Sequence, residues 1–312
     1  MSLYQVPILV NGATHSAEQF RALVQDLARG AEGITQGGDL KVTQLSTPGV
    51  SVQVGDGSGL VRGRVQPFQG TYSVRNQGSA TVPIAATGGS GRSDMLILRV
   101  EDPQYEGSLD PAKDQVNYFQ IISGVSASAT TIPDGRTGIP LARIDIPAST
   151  STITNAMIKD IRQVANARQQ RTLLTQSPTA LSTDIGGETG TFTNFSTSPG
   201  WSIAVPDWAS TVVLSLSVGQ IRYNGGNYFG KIRATFGSSL TVQPVNLDDN
   251  QTAGVRRATI VLGDTLTIPA AYRGTSQTLR FQASGVTPNP GKVGVDGSTT
   301  LIADVTFYEA PR

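Results

Sequence analysis

His15 is the single histidine of this chain, and cysteine is absent. A Ser-His-Asp or Cys-His nucleophilic centre would have to be built on that one imidazole. His15, however, directly precedes Ser16-Ala-Glu-Gln19, which has the spacing of a capping box. The residue before such a cap faces the fourth helical residue, here Phe20, so His15 is read as a staple at the start of a helix rather than as a general base. A zinc site needs several nitrogen or sulfur ligands, which this composition does not furnish.

Carboxylates are the next candidates. Glycoside hydrolysis needs two of them across a sugar, and Glu101, Asp102, Asp248, Asp249 and Glu309 are available, but nothing in their spacing selects a pair. Asp248-Asp-Asn250 could offer oxygens to calcium, yet reads as a solvated loop. Gly55-Asp-Gly-Ser-Gly59 lacks the Lys-Ser/Thr of a phosphate-binding loop and reads as a hairpin turn. Asp94 and Arg99 flank the apolar run Met95–Leu98, and a charge beside a covered strand needs a partner, so they read as ion-pair residues. The expectation is no catalytic residue, no metal and no cofactor.

One stretch suggests ligand binding. Tyr223-Asn-Gly-Gly-Asn-Tyr228 sets two aromatic rings and the amides of Asn224 and Asn227 in what reads as a hairpin loop. Exposed, the rings would stack on sugar faces while the amides bind hydroxyls. Buried, they would be core. The sequence leaves both readings open. Trp201 and Trp208 read as core or subunit-interface residues, because tryptophan carries so much apolar area.

The elements that would position these residues are mostly strands. After an extended arm at 3–10, Phe20, Leu23, Val24 and Leu27 follow the capping box at helical spacing, and Gly30 and Gly33 can end that helix. Val50–Val54, Leu60–Val65, Thr71–Val74, Met95–Val100, Phe119–Val125 and Ile139–Ile146 read as strands. Met157, Ile158, Ile161, Val164 and Ala165 then mark the apolar stripe of a second helix over about 155–170. A polar linker runs to about Gly200. Beyond it four segments alternate cleanly, around Val212–Val218, Ile232–Phe236, Leu279–Ala283 and Leu301–Phe307, predicting an antiparallel sandwich or jelly roll. The expected organisation is mainly β: an N-terminal β-rich domain over 1–150, helix and linker over 151–200, and a C-terminal sandwich over 201–312.

Composition narrows the partners. With 312 residues, a net charge of +1 and 15% charged residues, the chain lacks the basic footprint of a nucleic-acid binder. The 35 glycines and 17 prolines fit many short strands and tight turns. No stretch approaches the roughly 18 apolar residues of a membrane span, and the first ten residues lack the basic and apolar regions of a secretory signal.

The order of features resembles the minor tail and baseplate proteins of siphophages that infect actinobacteria. Phe20-Arg-Ala-Leu-Val24, Gly33-Ile-Thr35 and Asp39–Val52 look like the N-terminal region of those proteins, and Leu60-Val-Arg-Gly63, Tyr72 and Arg92–Val100 are similar to the N-terminal domain of the phage baseplate upper protein family. Ile139–Ile146 and Ile158-Lys-Asp-Ile-Arg162 look like that family's exit into a helical neck. Pro206-Asp-Trp-Ala209 resembles the start of a distal domain. The likeness implies a structural virion protein at the tail tip, held by other tail and baseplate proteins, often as a homotrimer. Met157, Ile161 and Val164 would then line the oligomer interface, and a host surface glycan would be the ligand of any receptor-contacting domain. A wall-glycan hydrolase is the remaining alternative, without a visible catalytic set.

Overall fold

The structure, a computed structural model, describes residues 7–187, 190–198 and 200–312. Residues 3–6 of the expected arm lie outside the described residues, and Pro7–Val10 form no strand. The chain divides into two compact units: unit 1 comprises Met1–Ala167 with Ala310–Arg312, and unit 2 comprises Arg168–Glu309. Among the described residues, no helix is long and apolar enough to cross a membrane.

Unit 1 opens with helix α1 (Ala17–Leu27), started by the predicted box: Ser16 Oγ accepts from the Gln19 N–H at 3.2 Å, and Gln19 Oε1 accepts from the Ser16 N–H at 3.0 Å. His15 and Phe20 meet edge to face at 6.2 Å, as the staple reading requires. Ten strands follow: β1 (Gly33–Ile34), β2 (Val42–Gln44), β3 (Ser51–Val54), β4 (Gly57–Arg62), β5 (Thr71–Asn76), β6 (Ala80–Pro83), β7 (Arg92–Val100), β8 (Asn117–Val125), β9 (Gly138–Ile146) and β10 (Ile158–Asp160). They form three antiparallel sheets in the orders β1-β4-β5, β2-β3-β6 and β10-β9-β7-β8. Ile34, Leu40, Val52, Val61, Leu96, Leu141 and Ile144 are at the centre of one core. The run Met95–Leu98 is buried on both faces, which is why it shows no alternation.

The second helix predicted over 155–170 is not formed. A single 3-10 turn at Asn155–Met157 leads into β10, where Ile158 pairs with Ile144 and Asp160 with Ala142. An open edge of β9 outcompetes helix formation, because a short apolar run satisfies either period and only pairing satisfies the edge. Arg162 then turns into unit 1, where its guanidinium is fully enclosed.

Nor is 169–200 a linker. Unit 2 begins with β11 (Gln169–Gln176), followed by β12 (Thr193–Asn194), β13 (Trp201–Ala204), β14 (Thr211–Gly225), β15 (Tyr228–Phe236), β16 (Leu240–Thr241), β17 (Val245–Asp249), β18 (Val255–Thr267), β19 (Ser276–Gly285), β20 (Gly291–Gly294) and β21 (Thr300–Tyr308). β12/β13, β16/β17 and β20/β21 are collinear pairs along β19, β15 and β14 respectively, each serving as one arm. The first sheet then reads β11, β20/β21, β14, β18, and the second reads β12/β13, β19, β15, β16/β17. In chain order the arms fall in the first, second, first, second, second, first, second and first sheet. That succession is the double Greek key of a jelly roll. Leu214, Leu216, Ile232, Phe236, Phe281, Val305 and Phe307 fill the core between the sheets.

Candidate functional site

The predicted loop at 223–228 is a corner rather than a hairpin. β14 belongs to the first sheet and β15 to the second, and Gly226-Asn227 carries the chain between them. Tyr223 (4% exposed) and Tyr228 (0%) therefore both face the core, with ring centroids 6.0 Å apart. Burial, reinforced by the Asp249 carboxylate, pushes the Tyr223 hydroxyl up to about 12. Asn224 and Asn227 are half-buried beside the corner; the Asn227 carbonyl accepts from the Gly291 N–H at 3.0 Å. These four residues present no aromatic platform to a sugar. Trp201 and Trp208 likewise pack against the core of unit 2, with the Arg168 guanidinium over the Trp208 ring.

Met157, Ile161 and Val164 are half-buried, and do not share a helical stripe. Met157 and Val164 pack on the core of unit 1, Val164 bridges to Ile34, and the Ile161 N–H donates to the Leu141 carbonyl. These contacts lie within unit 1, so replacing the three with aspartate is expected to destabilise unit 1 itself.

The candidate acids are engaged structurally. Asp94 is fully buried, pairs with Arg92 at 2.9 Å and accepts from the Gly124 N–H. Arg99 pairs instead with Glu101 and Glu106. Asp102 receives Arg21 of α1 at 3.3 Å and the Tyr72 hydroxyl at 2.7 Å, which fastens the helix to β5; burial first, then this carboxylate, raises the Tyr72 hydroxyl pKa. Asp249 pairs with Arg256, and Glu309 with Arg168. Asp248 lies at the end of β17 and accepts from Asn250. Among the described residues, no group of three or more histidines and carboxylates converges to hold a metal.

What unit 2 does present is open sheet. The outer face of its first sheet lines up Leu173, Asp304, Ser215 and Gly263 in one register row, and Thr175, Ile302, Ser217 and Val261 in the next. Leu173 is 63% exposed and Val261 61%. Arg171 pairs with Asp304 at 2.5 Å, which neutralises that carboxylate and holds it below the usual range. These two rows carry Ser, Thr and Gly with singly placed aliphatic residues, and Asp304 is their one charged residue. At its sides β11 and β18 each pair with a single neighbour among the described residues, and β18 runs thirteen residues with an open edge. Such an edge is a ready template for another strand. The surface was missed in the sequence because its apolar members are scattered singly among threonines and serines; the alternation that marked the core also marked its outward positions.

The chain matches no protein-family profile and no curated protein. Among solved structures it is similar to the infectious bursal disease virus Gx strain structure (13% identity, 90% of this chain and 78% of that one, TM-score 0.26). It is also similar to the VP2 subviral particle of the same virus (14%, 90% and 79%, TM-score 0.25). A weaker likeness joins it to the Bacillus thuringiensis insecticidal crystal protein Cry7Ca1 (11%, 91% and 56%, TM-score 0.15). At these scores the likenesses add nothing to the topology read from the strands themselves.

Proposed function

We propose that this chain is a structural protein of a virus particle, a minor tail or baseplate subunit at the tip of a siphophage tail, which works by association rather than catalysis. The observation that carries this reading is the outer face of the first sheet of unit 2, with its open β18 edge. Four strands spaced about 4.8 Å apart and paired over eight residues give a face of roughly 500 Å². A stable interface takes about 800 Å² per partner, so one such face falls short alone. A ring in which each copy contributes both this face and the β18 edge makes up the difference, which favours a closed oligomer such as a homotrimer. The feature order shared with the phage baseplate upper protein family supports the tail as the location.

Two measurements test this. Light scattering on the purified chain is expected to give a multiple of 32.7 kDa, and a Leu173→Asp/Val261→Asp variant to give a monomer of unchanged fold. An antibody to the chain is expected to decorate the tail tip of the encoding virion in negative-stain images. A monomer at all concentrations together with unlabelled particles would reject the proposal.

A further inference from the structure

The alternation that buries Ile232, Ala234 and Phe236 of β15 and Leu279, Phe281 and Ala283 of β19 turns Lys231, Arg233, Arg280 and Gln282 to the outer face of the second sheet. Arg233 lies opposite Gln282 and Arg280 opposite Thr235, so the two arginines are diagonal neighbours. Their Cβ atoms are therefore roughly 7 Å apart. Elsewhere in unit 2 arginines meet carboxylates: Arg222 with Asp184, Arg256 with Asp249, Arg257 with Asp296. Among the described residues Lys231, Arg233 and Arg280 have no ion-pair partner. Asp248, which stands opposite Phe229 on the same face, is diagonal to Lys231 and pairs with none of the three.

The Arg233 guanidinium is held in place. Arg233 donates from Nε to Gln282 Oε1 at 2.9 Å, Gln282 donates from Nε2 to Asn194 Oδ1 at 3.1 Å, and Arg233 Cζ stacks 3.9 Å from the centroid of Phe192. Both Nη groups of Arg233 remain without an acceptor among the described residues. The stem of Arg280 crosses Gly200, where a Cβ would stand 2.6 Å from Arg280 Cγ, and its buried Nε has no acceptor among the described residues. Two neighbouring cations without a described counter-charge repel, and one anionic group seated between their outward-facing Nη groups relieves that repulsion.

We propose that this face binds an acidic polysaccharide, with Arg233 and Arg280 taking a carboxylate or phosphate of the polymer and the Asn194 amide donating to a neighbouring hydroxyl. A nucleic-acid strand fits less well: it needs successive stacking rings along a basic track, and the Phe192 ring already carries Arg233. The site stands on this face alone and does not depend on the assembly reading.

Calorimetric titration of the full chain tests it, with polygalacturonate, a phosphodiester-bearing phosphomannan, neutral dextran and oligo(dT) as probes. Either acidic polymer is expected to bind with an affinity that falls as salt rises, the better of the two identifying carboxylate or phosphodiester as the recognised group, while dextran is inert. Arg233→Gln/Arg280→Gln is expected to weaken binding about 10-fold or more, since it removes two charge-assisted contacts. Lys113→Gln, an exposed position in unit 1, should bind like wild type. If the double variant loses its fold, Arg280→Lys, which keeps the charge but not the forked donors, should still bind about threefold more weakly. Failure of both acidic polymers to bind, undiminished binding by the variants, or tighter binding of oligo(dT) would overturn the proposal.

Discussion

Val218 and Ile221 stand on one strand and face the same interior, although they are three positions apart and a regular strand would point them to opposite faces. A bulge between them sets two steps on β18 against three on β14: Val218 pairs with Ile260 and Ile221 with Ala258. The extra residue shifts the burial parity from Val212, Leu214, Leu216 and Val218 to Ile221 and Tyr223. Gln220 makes the bulge with φ +60, and its carbonyl accepts from Arg257 Nη1 and Thr299 Oγ1, both at 3.1 Å. Without it Tyr223 would point to solvent.

Gln220 holds a left-handed conformation that costs a non-glycine residue about 1 kcal/mol, while its fixed contacts are made by the main chain. Gln220→Gly is therefore expected to stabilise unit 2 by about 0.5 kcal/mol in urea titration. Deleting Gln220 should instead abolish cooperative unfolding, because every inward residue beyond it changes face. A deletion variant with wild-type stability would refute this account of the bulge.

The Tyr223 hydroxyl gives a pH signature. Its value is raised from 10.0 to about 12 because burial disfavours the phenolate. The stabilisation this represents is full below pH 10 and is lost as pH rises through 12. The difference in urea midpoint between wild type and Tyr223→Phe is expected to be flat to pH 9 and to move in favour of the variant above pH 10. A pH-independent difference would place the ring in water.

Asp296 gives the opposite signature. Arg257 beside it, helped by the Ser298 N–H and by Arg222, holds its carboxyl below the ordinary 3.8. Stability from this group is present above that value and lost as pH falls through its depressed folded value. Asp296→Asn should thus lower the denaturation midpoint at pH 7 and make no difference once wild-type Asp296 is itself protonated, as followed by fluorescence.

In unit 1 the enclosed guanidinium of Arg162 meets Asp160 at 2.6 Å and donates to the carbonyls of Asp39 and Arg312. Arg162→Met keeps the bulk and removes these bonds. It is expected to cost about 3 kcal/mol, since charged donors to buried carbonyls are worth more than neutral ones. Hydrogen exchange should show β1 and β10 opening first. A loss under about 1 kcal/mol would mean that packing, not hydrogen bonding, retains this residue.

Asp94 makes the same point for a buried acid. With its side chain fully enclosed, bound to Arg92 and the Gly124 N–H, Asp94→Ala is expected to cost about 3 kcal/mol. Differential scanning calorimetry on the variant measures it directly, and an unshifted unfolding temperature would contradict the pairing.

Elements whose residues satisfy one period only were legible in the sequence. The capping box at Ser16, the covered strand at Met95–Leu98 and the four alternations of unit 2 stand where the pattern puts them. The run from Met157 to Ala165 satisfied helix and strand alike, and the free edge of β9 chose between them. The tyrosines at 223 and 228 were ambiguous for a related reason: nothing local separates a hairpin loop from a corner between sheets. The interruption at Gly219-Gln220 was the one visible sign that the facing parity changes.

By its own residues, then, the sequence determined a mainly β chain with one capped helix, a covered strand and inward faces set by alternation, because these follow from short-range sterics and hydrophobic period. Tertiary structure alone decided which strands share a sheet, that β14 turns a corner into β15, and that Arg233 and Arg280 come to neighbouring positions with no carboxylate paired to them among the described residues. Those relations depend on residues far apart in the chain, since even the corner exists only because β14 pairs with β18 and β15 with β19. They are set by the pairing of strand edges and by the volume of a shared core, neither of which has a local signature.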